Sequence, residues 1–264
     1  MNRIFIFAAS KMEADPVARL LGISRWSSPS HTGPITAGPN HLEFFITGLG
    51  PSRAQACAAE ILLESSEPQS GGHLQHEKPD VAIVIGLCGG LTDSLPETTI
   101  AVYSDCVETT KGGTPCSCSR ELSAQITSLL RSQNAVCSSV KGITSPRIAI
   151  TKDDKLALAR SGAKVVDMES YAILSVARQA GIPAAIVRVV SDSLDRKLPD
   201  LNPALNPDGS INKGRALRIM LGSPILTARA ISANKRAAHH LAKALSFVLA
   251  SNFPILGRAS ACEP

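Results

Sequence analysis

Residues 164–195 read KVVDMESYAILSVARQAGIPAAIVRVVSDSLD, from Lys164 to Asp195. Val165 and Val166 are β-branched and suit a short strand. Ala172, Val176 and Ala177 follow at helical spacing, and Gly181 is a C-terminal stop. Pro183 bars the helix from continuing, and Ala184 to Val190 is nearly all apolar, as in a strand covered on both faces. Each strand runs into acid: Asp167-Met168-Glu169 after the first, Ser191-Asp192 after the second. Open α/β sheets bind ligands beyond the carboxyl ends of their strands. Two strand-end carboxylates are therefore expected to share one site.

Outward from this stretch the same alternation continues. Arg3 to Ala9, His41 to Thr47, Asp80 to Ile85, Thr99 to Cys106, Ala135 to Val140 and Arg147 to Thr151 read as strands. Helices are expected from Asp15-Pro16 to Gly22, with Asp15 as cap, and from Gly50 to about Leu63. Others are expected over Glu121–Arg131, Lys152–Ser161, Lys213–Leu221 and Pro224–Ala250. Trp26 to Asn40, Glu64 to Pro79 (with Gly71, Gly72, His73 and His76) and Glu108 to Pro115 read as loops. Gly86-Leu-Cys88-Gly89-Gly90 reads as a turn whose small residues let backbone approach a ligand. Together these predict an α/β fold: one three-layer α/β/α domain over 1–264, with a central mixed, largely parallel twisted sheet. A helical extension begins at about 213.

Composition narrows the class. The 264 residues are 44% hydrophobic but only 3% aromatic, so Ala, Val, Ile and Leu fill the core. No apolar run approaches the ~20 residues that span a bilayer. The first residues read as a strand rather than a leader. Seven scattered cysteines (57, 88, 106, 116, 118, 137 and 262) suit reduced thiols in a cytoplasm. Cys116 and Cys118 lack the second pair or histidines that a metal site wants, so no metal is expected. Net charge is +5, yet eight Lys and Arg and no Asp or Glu lie between Gly209 and Cys262, leaving the rest acidic. Such a block is either a solvated helix face or a contact for something anionic. Nucleic-acid motifs, a Walker loop and a dinucleotide fingerprint are absent.

The order Asp-Met-Glu-Ser, helix, Gly-Ile-Pro, apolar strand with Arg188, then Ser-Asp resembles the nucleoside phosphorylase and nucleosidase superfamily. That group includes purine nucleoside phosphorylases, uridine phosphorylases and methylthioadenosine/adenosylhomocysteine nucleosidases. The resemblance implies that Glu169 holds ribose hydroxyls beside Met168 and that Asp192, oriented by Ser191, serves purine N7. Ala9-Ser-Lys-Met-Glu13 matches an Ala-x-x-x-Glu pattern and gives Glu13 the attacking water. Gly86, Cys88 and Gly89 fall beside the ribose, and Ile150 falls at the base edge. Where hexameric phosphorylases hold phosphate with an arginine and a serine, this chain has Val84 and Leu87. Inorganic phosphate as a co-substrate would then depend on Arg53, which otherwise decorates the first turn of its helix, or on a neighbouring subunit.

The last quarter, with Leu-Pro, Asn-Pro-Asp-Gly, Lys-Gly-Arg and a long basic helix, resembles the hopanoid-associated phosphorylase subgroup. That implies a 5′-substituted adenosine such as adenosylhopane, a homo-oligomer, and membrane-surface contact through the basic helices. A methylthioadenosine-type nucleosidase is the alternative, and a non-catalytic nucleoside-binding protein a third reading. Taken singly, Glu13, Glu169 and Asp192 each have a structural reading as a cap or helix-start charge. Cleaving an N-glycosidic bond makes the base anion-like and the sugar cation-like. It therefore wants an acid at the base and carboxylates at the sugar. Burial at a strand end is expected to keep Asp192 protonated.

Overall fold

The computed structural model describes residues 2–23, 25–63, 78–109, 114–206 and 208–252. The loop expected over 64–79 lies largely outside them, as do its His73 and His76, the middle of the loop at 108–115, and Cys262. The first half of the chain runs β1 (Asn2–Ala8), α1 (Lys11–Leu20), β2 (Ile35–Ala37), β3 (Asn40–Ile46), α2 (Pro51–Leu62) and β4 (Val81–Gly90). It continues with β5 (Ile100–Glu108), β6 (Cys116–Ser117), α3 (Arg120–Ser132) and β7 (Cys137–Thr144). The second half is α4 (Lys152–Ala159), β8 (Val165–Asp167), α5 (Ser170–Gln179), β9 (Ala184–Asp192), α6 (Lys213–Gly222) and α7 (Pro224–Ala250).

The strands form one mixed sheet in the order β2-β3-β1-β4-β8-β7-β5-β6, and β9 pairs with both β4 and β5. That double pairing closes β4, β8, β7, β5 and β9 into a ring. The pairs β1–β3, β1–β4, β4–β9, β5–β7 and β7–β8 are parallel. Side chains alternate across each strand. Ile4 and Ile6 of β1 join Ile83, Val187, Leu241 and Leu245 in a core under α1, α3 and α7. Phe5 and Phe7 point the other way and join Val84, Ile173 and Ile186 under α2 and α5. All nine residues of β9 are buried. The apolar run of the central stretch is thus explained by cover on both faces and a strand on each edge.

Three expectations are corrected. The first helix begins at Lys11 with Ser10 as its N-cap, and Pro16 lies inside it. Glu13 decides this start, because its Oε2 accepts from the Ser10 N–H at 3.1 Å and so reciprocates the cap. Residues 147–151 form no strand. Gly86 to Gly90 is no turn. It is the end of β4: Gly86 to Gly89 pair with Arg188 to Asp192 of β9 through a register shift between Cys88 and Gly89, and Gly90 pairs with Val165 of β8.

Candidate active site

The carboxyl ends of β1, β4, β8 and β9 open on one cavity of about 260 Å³. Glu13, Cys88, Gly89, Met168, Glu169, Ser191 and Asp192 all line it. Three carboxylates from segments far apart in sequence therefore meet in one place, each more than nine-tenths buried. Gly86 lies one layer beneath. A Cβ there would fall on Nη1 of Arg188 and 2.5 Å from Oε1 of Glu13, and its φ of +149° suits only glycine. A Cβ on Gly89 would lie 3.0 Å from Oδ2 of Asp192. The glycines are needed because charged side chains press against the strand that carries them.

Arg188 is the centre of the sugar-side cluster. It projects from β9 and is 1% exposed. Nη2 donates to Glu169 Oε2 at 3.3 Å, Nε to Ser170 Oγ at 3.1 Å, and Nη1 to the Leu87 carbonyl at 3.3 Å. Glu13 Oε1 lies 3.7 Å and Asp167 Oδ1 3.9 Å from its guanidinium. Burial opposes its charge, but Asp167, Glu169 and Glu13 outweigh burial and push its pKa up. Glu169 accepts from the Gly50 N–H at 3.0 Å through its other oxygen. Burial raises its pKa to about 7 against the pull of Arg188, with Glu13 and Asp167 adding to the rise. Glu13 Oε1 accepts from the Leu87 N–H at 2.8 Å. Asp167 is saturated by Tyr103 at 2.8 Å, Thr144 at 2.9 Å and the N–H groups of Glu169 and Ser170. It braces the turn from β8 into α5, which aims Glu169.

On the opposite wall, Asp192 Oδ1 accepts from Ser191 Oγ at 2.8 Å. Oδ2 accepts from Lys155 Nζ at 2.6 Å. The expectation for Asp192 considered burial only; the structure adds an amine partner at hydrogen-bond distance. Sequence reasoning missed Lys155, since Lys152-Asp-Asp-Lys155 reads as a solvated helix start. Only the fold turns Lys155 inward.

Two predicted residues stand elsewhere. Ile150 lies outside the cavity, its N–H donated to Asp154 and its carbonyl taken by the Leu198 N–H. The cap of α4 has claimed its backbone, and Ile148 and Ala149 face the cavity instead, beside Arg147. Arg53 is exposed and its side chain runs along the backbone of Gly48 and Gly209, so it is not placed to hold an anion in the cavity. The Gly50 N–H at the start of α2 is committed to Glu169. Ala230 and Asn234 of α7 also reach the wall. Nothing in their local sequence signals this.

A mixed sheet with carboxylates gathered at its strand ends around a buried arginine puts the chain among α/β proteins whose site lies beyond the carboxyl ends of the strands. The model of the phosphorylase superfamily matches residues 3–213, and the chain belongs to that family. Its fold is similar to a mutant futalosine hydrolase of Helicobacter pylori, with TM-score 0.70, 15% identity, 94% of this chain and 99% of that one. It is also similar to a mutant 5′-methylthioadenosine/S-adenosylhomocysteine nucleosidase of that organism with 5′-methylthioadenosine in its active site. There the TM-score is 0.67 and identity 15%, over 94% of this chain and 98% of that one. The corresponding nucleosidase of Neisseria meningitidis, in complex with methylthio-immucillin-A, gives 0.69 and 16% over 95% and 99%.

Proposed function

We propose that this chain cleaves the N-glycosidic bond of a purine nucleoside, with water as the nucleophile. One observation carries the reading: Glu13, Glu169 and Asp192 converge on one mostly apolar cavity with their remaining bonds already assigned. Asp192 serves the leaving base. Glu169 takes ribose hydroxyls, with Met168 against the sugar. Glu13 orients and deprotonates the attacking water. An apolar enclosure strengthens each of these charges relative to water.

Water is preferred over phosphate on electrostatic grounds. Arg188 lies behind Glu13 and Glu169 and is engaged with both, so a phosphate on the sugar side would meet two carboxylates. Val84 and Leu87 offer no replacement donor side chain. For the substrate, Met12, Leu198, Leu201 and Ala230 line the cavity and suit an apolar 5′ substituent on adenosine. The methylthioadenosine held by the similar Helicobacter nucleosidase is of that kind. Adenosylhopane is the specific candidate, on the resemblance of the last quarter of the chain.

A lipid-linked nucleoside would be drawn from a membrane. No helix among the described residues is long and apolar enough to cross one. Yet α6 has no buried residue, and Leu217, Leu221 and Ile225 are exposed beside Arg215, Arg218 and Arg229. Docking on anionic headgroups would add about 1 kcal/mol per cation near the surface. Co-sedimentation with phosphatidylglycerol vesicles, absent with phosphatidylcholine alone, is the expected result. A stable homo-oligomer that covers Leu221 would instead assign this face to a second copy.

The deciding experiment is adenine release from 5′-substituted adenosines, adenosylhopane included, with and without phosphate, beside Asp192→Asn. Release without phosphate, reduced by about 10²–10⁴-fold in Asp192→Asn, is expected. A strict need for phosphate would make the enzyme a phosphorylase. No release from any nucleoside by the folded protein would leave only nucleoside binding.

A further inference from the structure

Lys155 is fully buried, and a buried ammonium is strongly disfavoured unless it is paired and hydrogen-bonded. Its three hydrogens go to Asp192 Oδ2 at 2.6 Å, the Ser193 carbonyl at 2.6 Å and the Arg196 carbonyl at 3.3 Å. The two carbonyls would suffice to pin the chain after β9. The third partner is the carboxylate that faces the leaving base. This creates a conflict to resolve: purine N7 is an acceptor and wants a proton, while a carboxylate beside an ammonium is an acceptor as well.

We propose that Lys155 and Asp192 hold one proton between them, and that Lys155 supplies the proton that Asp192 passes to the leaving base. The inference rests on the reading of this cavity as a purine nucleoside cleavage site. As the C1′–N9 bond breaks, its electron pair goes to the base and N7 becomes more basic. The shared proton passes from Lys155 Nζ to Asp192 Oδ2 and on from there to N7, one proton in all. Lys155 is left as a neutral amine and Asp192 as a carboxylate. Water captures the sugar cation, and its proton, taken up by Glu13, returns through solvent to Lys155 after product leaves. Ser191 Oγ, donating to Oδ1 at 2.8 Å, keeps Oδ2 turned toward Lys155. Lys155 acts through Asp192 and is a positioning residue rather than a catalytic one.

The surroundings suit such a pair. Cys88 faces it from β4, and burial pushes that thiol well up, so it stays neutral. Arg147 contributes from the segment before α4. On α4, Asp153 and Asp154 are exposed, and Lys152 is paired with Asp195 at 2.6 Å. Arg196 is paired with Glu97. No other acid contacts Lys155 among the described residues, so its proton has one outlet, which is Asp192.

The test compares two leaving groups in Lys155→Met and wild type across pH 5–9. One is adenine, from the 5′-substituted adenosine that wild type cleaves. The other is p-nitrophenolate, from p-nitrophenyl β-D-ribofuranoside, which departs without a proton. Wild type should release adenine up to alkaline pH. Lys155→Met should lose at least 100-fold in kcat for adenine at pH 8 and recover part of the deficit, relative to wild type, at pH 5. Its KM and its p-nitrophenolate release should change less than 5-fold. An equal loss on both substrates, a loss independent of pH, or no loss would overturn the proposal. Should Lys155→Met not fold, wild type alone decides: adenine release that falls away with rising pH below neutrality, while p-nitrophenolate release does not, refutes it. Wild type that cleaves only the nitrophenyl riboside, or nothing, refutes the purine reading and this proposal with it.

Discussion

At the scale of single residues, the site is a set of charges that constrain one another. Glu169 is the clearest case. On the proposed reading its carboxylate form is the one that would accept from ribose hydroxyls, and burial raises its pKa to about 7. The expected outcome is a kcat/KM that rises with pH and levels off above about 7, measured on the free enzyme. Glu169→Gln should remove that limb along with most of the activity. Gly86 makes a second prediction. Gly86→Ala pushes a methyl onto Arg188 and Glu13 at a strained φ. It should cost about 1–3 kcal/mol in denaturant titration and lower kcat/KM at least tenfold. That Glu13, Glu169 and Asp192 could share one cavity was legible only from their joint order along the chain; taken singly each has a structural use, and Glu13 does complete the cap of α1. Lys155 was not, because four polar residues at a helix start look the same whether the fourth points out or in. Ile150 lies just past the cavity-lining Ile148 and Ala149: the cap of α4 takes its N–H, and the apolar string alone does not show where the extended segment ends.

At the scale of elements, α4 is short, and its start is set by one reciprocal cap. Thr151 Oγ1 accepts from the Asp154 N–H at 3.2 Å, and Asp154 Oδ2 accepts from the Thr151 N–H at 2.9 Å. Lys155 sits one turn further on. Thr151→Ala should therefore cost about 1 kcal/mol of stability. Steady-state kinetics should show its activity loss in kcat, with KM nearly unchanged, because the loosened helix carries Lys155 and neither Met168 nor Glu169. Elements were the most legible level. Strand and helix periods located α2, α5 and β9 from Ala184 to Val190, though β9 runs two residues further, to Asp192. Errors arose where a residue type had two meanings. Glycines at 86–90 read as a turn, yet they continue β4 because side chains crowd the sheet from both neighbours. Asp15-Pro16 imitates a helix start, while Ser10 and Glu13 make the real one.

At the scale of the whole molecule, the class of fold was legible and the closure of the sheet was not. Alternating strands and helices point to a layered α/β protein. That β9 pairs with β5 as well as β4 depends on contacts between segments more than 80 residues apart, which no local pattern encodes. Stability should carry the signature of the buried acid. A carboxyl whose pKa is raised on folding binds more protons folded than unfolded between its two values. Stability should therefore fall as pH rises from about 4.5 to about 7, by up to about 3 kcal/mol from Glu169 alone. Chemical denaturation of wild type and Glu169→Gln at pH 5 and pH 8 measures it. The gap between the two proteins should shift in favour of the variant at the higher pH.

The bond from the Gly50 amide to Glu169 has a spectroscopic consequence. Gly50 ends the loop that leads into α2, 119 residues away in sequence from the acid it touches. Its proton sits on an oxygen whose charge changes close to neutral pH. The Gly50 resonance in a ¹⁵N–¹H correlation spectrum should thus move with an inflection near pH 7 and stop moving in Glu169→Gln. A saturating nucleoside that binds the ionised acid should drag the inflection downward. The backbone of one loop would then report the ionisation of Glu169 at rest, with no turnover required.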